Sequence, residues 1–276
     1  MTQKTIRPEE DAERASQMAA QVIEEASSSG NEQEPPKVDP VPDGTVDLPG
    51  GLHTIHGFVR EAEVSEMTGL VEEKISKPGL TKNIGKFITE LVHACTVRIG
   101  DDENPSKDLI RSLCIGDREA MLVGIRTATY GNTFDLRVEC PVCRHEYGLM
   151  YELDKDVPYK RIEEDEHEFD VELRRGKTAR MRITTGYDQE YVAGLESKSV
   201  AERNNEMLAK VVNSIDGEPV ISVNQIKALG SSDIRTMLVE LDERQPGPQF
   251  EKVTQECPSC EEESPLVVSL MDLFRG

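Results

Sequence analysis

Two short stretches, Cys140-Pro-Val-Cys143 and Cys257-Pro-Ser-Cys260, decide how the chain reads. Each Cys-x-x-Cys sets two sulfurs on one tight turn, and the proline after the first cysteine stiffens that turn by fixing φ. Two such turns supply four thiolates, the tetrahedral soft-donor set that structural zinc prefers. The flanks agree. Phe134-Asp-Leu-Arg-Val-Glu139 alternates into the first pair and Phe250-Glu-Lys-Val-Thr-Gln-Glu256 leads into the second, while residues 147–153 and 265–270 are strand-like on the far sides. The layout is that of a zinc ribbon, a knuckle at the tip of each of two hairpins, with Cys140, Cys143, Cys257 and Cys260 expected to bind one structural Zn2+.

The separation is unusual for a ribbon: 113 residues stand between Cys143 and Cys257. On the single-zinc reading a subdomain is inserted into the ribbon. The other readings are reduced thiols without metal or two separate redox pairs, and a thioredoxin-type site would ask for a βαβ setting that neither pair has. Many knuckles carry glycine after the second cysteine. Here Arg144 and Glu261 stand there, which predicts backbone that only glycine adopts without strain.

Composition narrows the function. With 32 basic against 53 acidic residues the formal net charge is -21, so the surface repels phosphate polyanions. Tryptophan is absent and aromatics make up 4%, which leaves little for a base-stacking platform; direct nucleic-acid binding is not expected. No apolar run approaches the roughly 20 residues that cross a bilayer, and the N-terminus lacks the apolar segment of a signal peptide. The expected setting is a reducing cytoplasm, where metal thiolates are favoured over disulfides. Cys95 and Cys114 lie in apolar helical contexts and read as buried thiols.

The expected architecture is α+β: split four-cysteine zinc-ribbon-like β-hairpins, a helical insertion, an N-terminal helical part and a disordered tail. Residues 1–49, rich in Glu, Ser, Pro and Gly, read as a disordered acidic tail in which residues 8–26 carry a weak helical stripe. Residues 50–130 form an N-terminal α/β part: a strand or hairpin over 52–64, helices over 67–76, 83–97 and 106–113, and a further helix opened by Gly116-Asp117. Residues 131–276 hold the split ribbon (131–155 and 249–274) with an insertion at 165–246. That insertion starts as a β-hairpin around Arg174-Arg-Gly-Lys177, read as a solvated basic tip, and continues as helices over 187–215, 222–229 and 232–243, the last two with serine at their starts. The terminal apolar run 267–274 is expected to seal the ribbon against the core.

No catalytic constellation emerges. His53 and His56 have metal-compatible spacing without further ligands, 101–105 lacks the glycine and glutamate of a calcium loop, and 163–168 is an acidic run read as a solvated loop countered by the hairpin's basic residues. Arg118 and Arg126 read as helix-surface arginines paired with carboxylates. A four-thiolate zinc leaves no open position for water, so the metal reads as structural.

The order of parts resembles a known family. A helix with Gly116-Asp-Arg118, then Ile125-Arg-Thr-Ala-Thr-Tyr-Gly131, then Val138-Glu-Cys-Pro-Val-Cys143, a helical insertion and a late Cys-Pro-x-Cys is similar to the T4-type bacteriophage baseplate family. The resemblance spans roughly residues 52–274. It implies a non-enzymatic protein of the central baseplate hub of contractile-tailed phages, or a factor in hub assembly. Its partners would be other tail and hub proteins, with the host cytoplasm during assembly and the virion baseplate as locations. The alternative is a zinc-ribbon adaptor of transcription or replication machinery, which should carry basic residues on the ribbon. Near the knuckles Arg137 and Arg144 instead face Glu139, Glu146, Glu256 and the run Glu261-Glu-Glu263. A magnesium-dependent hydrolase would need carboxylates converging from several elements.

Overall fold

Thr45, Val46, Asp47 and Leu48 alternate, and only the valine and leucine are buried, so the chain is already a strand at Gly44. In the computed structural model, which describes residues 44–55, 57–77, 80, 82–265 and 272–274, β1 (Gly44–Thr54) pairs antiparallel with β2 (Gly57–Val64). Residues 44–49, expected in the tail, therefore belong to the sheet. The prolines and glycines that suggested a tail are accommodated as an irregularity between Asp47 and Leu52, where Gly51 takes φ 73°. The expectations for residues 1–43, for His56 and for residues 266–271 lie outside the described residues.

The next helices follow their caps. Thr68 caps α1 (Gly69–Ile75), Asn83 caps α2 (Ile84–Cys95), and β3 (Thr96–Ile99) then adds to β2 in the order β1-β2-β3. Ser106 caps α3 (Lys107–Ser112), and the Cys114 thiol accepts from the Asp117 amide to cap α4 (Ile115–Tyr130), which ends at Gly131 with φ 86°. The core of this half packs Val46, Leu48, Val64, Ile88, Leu91, Val92, Met121, Leu122 and Ile125 between the sheet, α2 and α4. Asp117, itself buried, accepts from the Gly50 amide at 2.7 Å and so ties the β1 irregularity to the start of α4.

Both α4 arginines contradict their sequence reading. Arg118 is 1% exposed and donates Nη2 to the Gly85 carbonyl (3.0 Å) and to Thr89 Oγ1 (2.7 Å), with no carboxylate bonded to it among the described residues. Arg126 is buried, donates to the carbonyls of Gly131 and Thr133, and lies over the rings of Tyr130 and Phe134. α4 is enclosed on several sides, and its arginines find backbone oxygens there.

After α4 come β4 (Thr133–Glu139) and β5 (Glu146–Glu152), paired with each other alone among the described residues, then β6 (Tyr159–Lys160). The hairpin expected next is β7 (Glu168–Glu172) and β8 (Thr178–Arg182). α5 (Gly186–Ala193) and α6 (Val200–Val211) follow, broken where expected. Residues 212–215, expected to finish the helix, instead form β9 (Val212–Ile215), which pairs with β8; β10 (Glu218–Pro219) completes a sheet of order β10-β9-β8-β7. The part of the insertion expected as helices is thus mixed, because β8 has a free edge that Val212-Asn-Ser-Ile215 fills, pairing Arg180 with Ser214. α7 (Val223–Lys227), capped by Ser222, and α8 (Ser231–Arg244), whose cap position is Gly230 rather than serine, cover the sheet around Met181, Leu208, Ile226 and Met237.

The return runs through β11 (Gly247–Pro248), paired with β6, to β12 (Thr254–Glu256) and β13 (Glu263–Pro265). Only 254–256 of the expected strand 250–256 is extended, since residues 250–252 form a 3-10 turn. A third cluster joins Val123 of α4 to Phe134, Leu153, Phe250 and Leu273, so the terminal Leu273 seals the hairpin base as expected.

Candidate metal centre

The two Cys-Pro-x-Cys turns close their hairpins in the same way. In β4–β5, whose last pair is Glu139 with Glu146, the Cys140 amide donates to the His145 carbonyl (2.9 Å) and the Arg144 amide to the Cys140 carbonyl (3.0 Å). In β12–β13, whose last pair is Glu256 with Glu263, the Cys257 amide donates to Glu262 (3.0 Å) and the Glu261 amide to Cys257 (2.9 Å). The residues standing where glycine is common, Arg144 and Glu261, take φ 62° and 59°. The strain anticipated from the sequence is therefore present at both tips.

These matched turns bring all four sulfurs together. Cys140 Sγ lies 3.7 Å from Cys260 Sγ, Cys143 Sγ lies 3.7 Å from Cys257 Sγ, and all four are within 4.8 Å of one another. A tetrahedron with metal–sulfur bonds near 2.3 Å has edges of about 3.8 Å, so the cluster has the size of one tetrahedral site. The same spacing far exceeds a disulfide bond of about 2.05 Å. Each turn contributes one buried sulfur, from Cys140 and Cys257, and one exposed, from Cys143 and Cys260. The four cysteines can hold a metal ion, and the described residues contain no other group of this kind.

Electrostatics favour a cation there. The amides of Cys143 and Val142 stabilise the Cys140 thiolate and, against burial, bring its pKa down to about 7. At Cys260 the Glu262 amide pulls the same way, but burial and hydrogen bonds with Cys143, Cys140 and Cys257 push the thiol up to about 12. One thiolate forms readily and then opposes the next, and a divalent cation removes that opposition. Burial, then the nearby Cys257 and Cys140, also raises Tyr147, whose hydroxyl is buried without a hydrogen-bond partner among the described residues. Glu139, Glu146, Glu256, Glu261, Glu262 and Glu263 are exposed around the knuckles against two arginines, of which Arg144 is held by Glu139 at 2.7 Å and Arg137 has no ion-pair partner among the described residues.

Residues 59–275 match the family described as T4 bacteriophage base plate protein. The chain belongs to this family. The match covers all four cysteines and starts inside β2. No curated protein and no solved structure gives a match.

The other candidate positions of this baseplate-family chain assemble no ligand group among the described residues. His53 Nε2 lies 3.3 Å from Glu164, a pair that belongs to no larger ligand cluster among the described residues, and in 101–105 Asp102 accepts from the Asn104 amide. The acidic run is countered by Arg60 at Glu163 and by Arg180 at Glu168, the second of these on the hairpin as expected. The hairpin tip is pinned by its backbone, the Arg174 amide donating to Asp233 at 3.0 Å. Cys95 and Cys114 are buried, and burial raises both thiols, Cys95 to about 12. Sequence reasoning missed the buried Asp117 and Arg118. The glycines at 50, 85 and 186 that surround them were a signal only in retrospect, because each comes from a different element.

Proposed function

We propose that this chain is a non-enzymatic component or assembly factor of the phage baseplate hub, acting through contacts with other tail proteins. In this reading Cys140, Cys143, Cys257 and Cys260 hold one structural Zn2+, and the two hairpins form a split zinc ribbon. The observation that carries the metal half is the four-sulfur cluster at tetrahedral spacing. Family membership carries the baseplate half. Loaded, the ion neutralises the thiolates and cross-links turns separated by 113 residues, holding the hairpins in fixed relation to the insertion between them. With four protein ligands it leaves no site for substrate. The acidic surroundings of the knuckles speak against a ribbon that grips nucleic acid. Proteins of this kind act in the host cytoplasm during assembly and in the virion tail.

Metal analysis of the purified full chain tests the site: one zinc per chain is expected, lost in Cys140→Ser and Cys257→Ser. Fully reduced protein without stoichiometric metal would remove the ribbon. Gel shift with duplex DNA at low salt is expected to be negative, and a salt-sensitive shift would replace the hub reading with the adaptor one.

A further inference from the structure

The outer edge of β1 forms one wall of a groove of about 830 Å³, floored by the small-residue face of α4 and flanked by Tyr159. The register fixes which β1 groups point into it. The Gly100 amide donates to the Glu61 carbonyl, so Glu61 turns its main chain toward β3. Main-chain direction alternates along a strand. Ala62 therefore faces β1 and bonds Val46, while Thr45 and Asp47, opposite Glu63 and Glu61, direct their N–H and C=O groups away from the sheet. One more outward residue, Pro49, already accepts from the Ile162 amide at 3.1 Å, so this edge does bond a neighbouring segment at one rung. At Thr45 and Asp47 no main-chain partner is found among the described residues.

An open edge beside an apolar groove is the arrangement used in strand addition. Gly124 and Ala128 of α4 line the floor, and their small size leaves the groove open to apolar side chains of an incoming strand. Asp154, at the rim, is held by Asn132 and has no cationic partner among the described residues, in a chain of net charge -21. The sequence just ahead of β1, Pro35-Pro-Lys-Val-Asp-Pro-Val-Pro42, has four residues without an amide hydrogen, a poor source for the missing strand. We propose that the β1 edge receives an extended segment of a partner protein, with apolar side chains facing α4 and a Lys or Arg near Asp154. This deepens the assembly reading by naming its docking surface, and it does not depend on the metal.

The test uses the full chain and ten-residue synthetic peptides tiling the tail and hub proteins of the same phage. A basic peptide is expected to bind, to slow hydrogen exchange of the Thr45 and Asp47 amides at least tenfold, and to lose at least tenfold in affinity on Ala128→Trp or Thr45→Pro. Thr45→Pro removes an outward amide only, so it keeps the melting temperature, whereas the control Val46→Pro lowers it. The proposal falls if no peptide binds, if peptides bind without protecting those amides, or if Thr45 and Asp47 are already as protected as Val46 in the free chain. Protection that grows with protein concentration would assign the edge to a second copy and overturn it equally. Peptide binding by fully reduced purified chain that carries no stoichiometric metal would sink the metal reading alone.

Discussion

The half of the molecule around Leu91 and the cysteine end hold themselves together by different means. In the first, a three-stranded sheet and two long helices bury Leu48, Ile88, Leu91, Val92 and Met121 almost completely. In the second, two hairpins meet, each two-stranded among the described residues, and β12–β13 shows three paired residues per strand there. Two-stranded hairpins are marginal alone in water. Burial suffices where sheet and helices interlock. Where short hairpins meet across a long excursion, the proposed metal would add a cross-link to the apolar cluster around Phe134, Phe250 and Leu273 at their base.

The sharpest way to break this contrast is to take the metal from loaded protein. Closing so long a segment is expected to contribute about 4 to 5 kcal/mol, or roughly a thousandfold in local opening. Chelation should speed exchange of the Cys140, Arg144, Cys257 and Glu261 amides by about that factor, while the Leu91 amide stays protected. Equal loss in both regions would show that they are one cooperative unit. The reciprocal variant is Leu91→Ala, expected to cost about 2 to 5 kcal/mol by denaturant unfolding with zinc content unchanged.

A smaller effect probes the joint between the regions. α4 and β11 approach so closely that a Cβ on Gly116 would stand 1.8 Å from the Pro246 carbonyl oxygen, and Gly247 beside it has φ 116°. Gly116→Ala must push the strand that leads to the second knuckle away from the helix. The expected cost is about 1 to 3 kcal/mol, read by thermal unfolding. Faster zinc loss to a chelator should accompany it, since the displaced strand carries the second cysteine pair. A melt shift with unchanged zinc retention would mean that the joint transmits nothing.

Glu119, one turn further along α4, gives the same joint a pH dependence. Burial first and the Glu251 carboxylate second push its pKa up to about 7, against the pull of Arg118. A carboxyl with a raised folded-state pKa binds more protons folded than unfolded between its ordinary value of 4.5 and about 7. Stability contributed by this group is therefore highest at low pH and falls as pH rises through that window. Glu119→Gln should flatten that decline in denaturant titrations at pH 4.5 to 7.5; an unchanged slope would assign it elsewhere.

What the sequence revealed follows the reach of each interaction. The knuckles were readable because Cys-Pro-x-Cys is a local instruction: four residues set the turn, and the absent glycine announced the positive φ of Arg144 and Glu261. Helix starts at Asn83, Ser106 and Ser222 were readable for the same reason. Arg118 was not. The consecutive charges Asp117, Arg118 and Glu119 suggest an exposed start to α4, and the room for the Arg118 guanidinium comes from Gly186 of another element, where a Cβ would stand 1.9 Å from Nη1. β9 escaped because its apolar residues continue the helical spacing of α6, and only the edge of β8, pairing Arg180 with Ser214, decides against helix. The meeting of sulfurs from turns 113 residues apart was inferred from thiolate chemistry, since nothing in the intervening residues specifies the approach.

The smallest effect sharpens the comparison at a single backbone dihedral. Glu261 has φ 59° and no ion-pair partner among the described residues, whereas Arg144, its counterpart at φ 62°, is held by Glu139. A left-handed non-glycine residue costs about 1 to 2 kcal/mol, and glycine returns part of this through its greater unfolded freedom. Glu261→Gly should therefore stabilise the metal-loaded chain by about 0.5 to 1 kcal/mol. Arg144→Gly should gain less, because it also gives up an exposed ion pair of up to about 1 kcal/mol. The check is chelator-dependent unfolding of the two variants side by side. If the gain persists after the metal is removed, the strain belongs to the hairpins themselves; if it vanishes, the turn adopts its left-handed residue only when the sulfurs are drawn together by the ion.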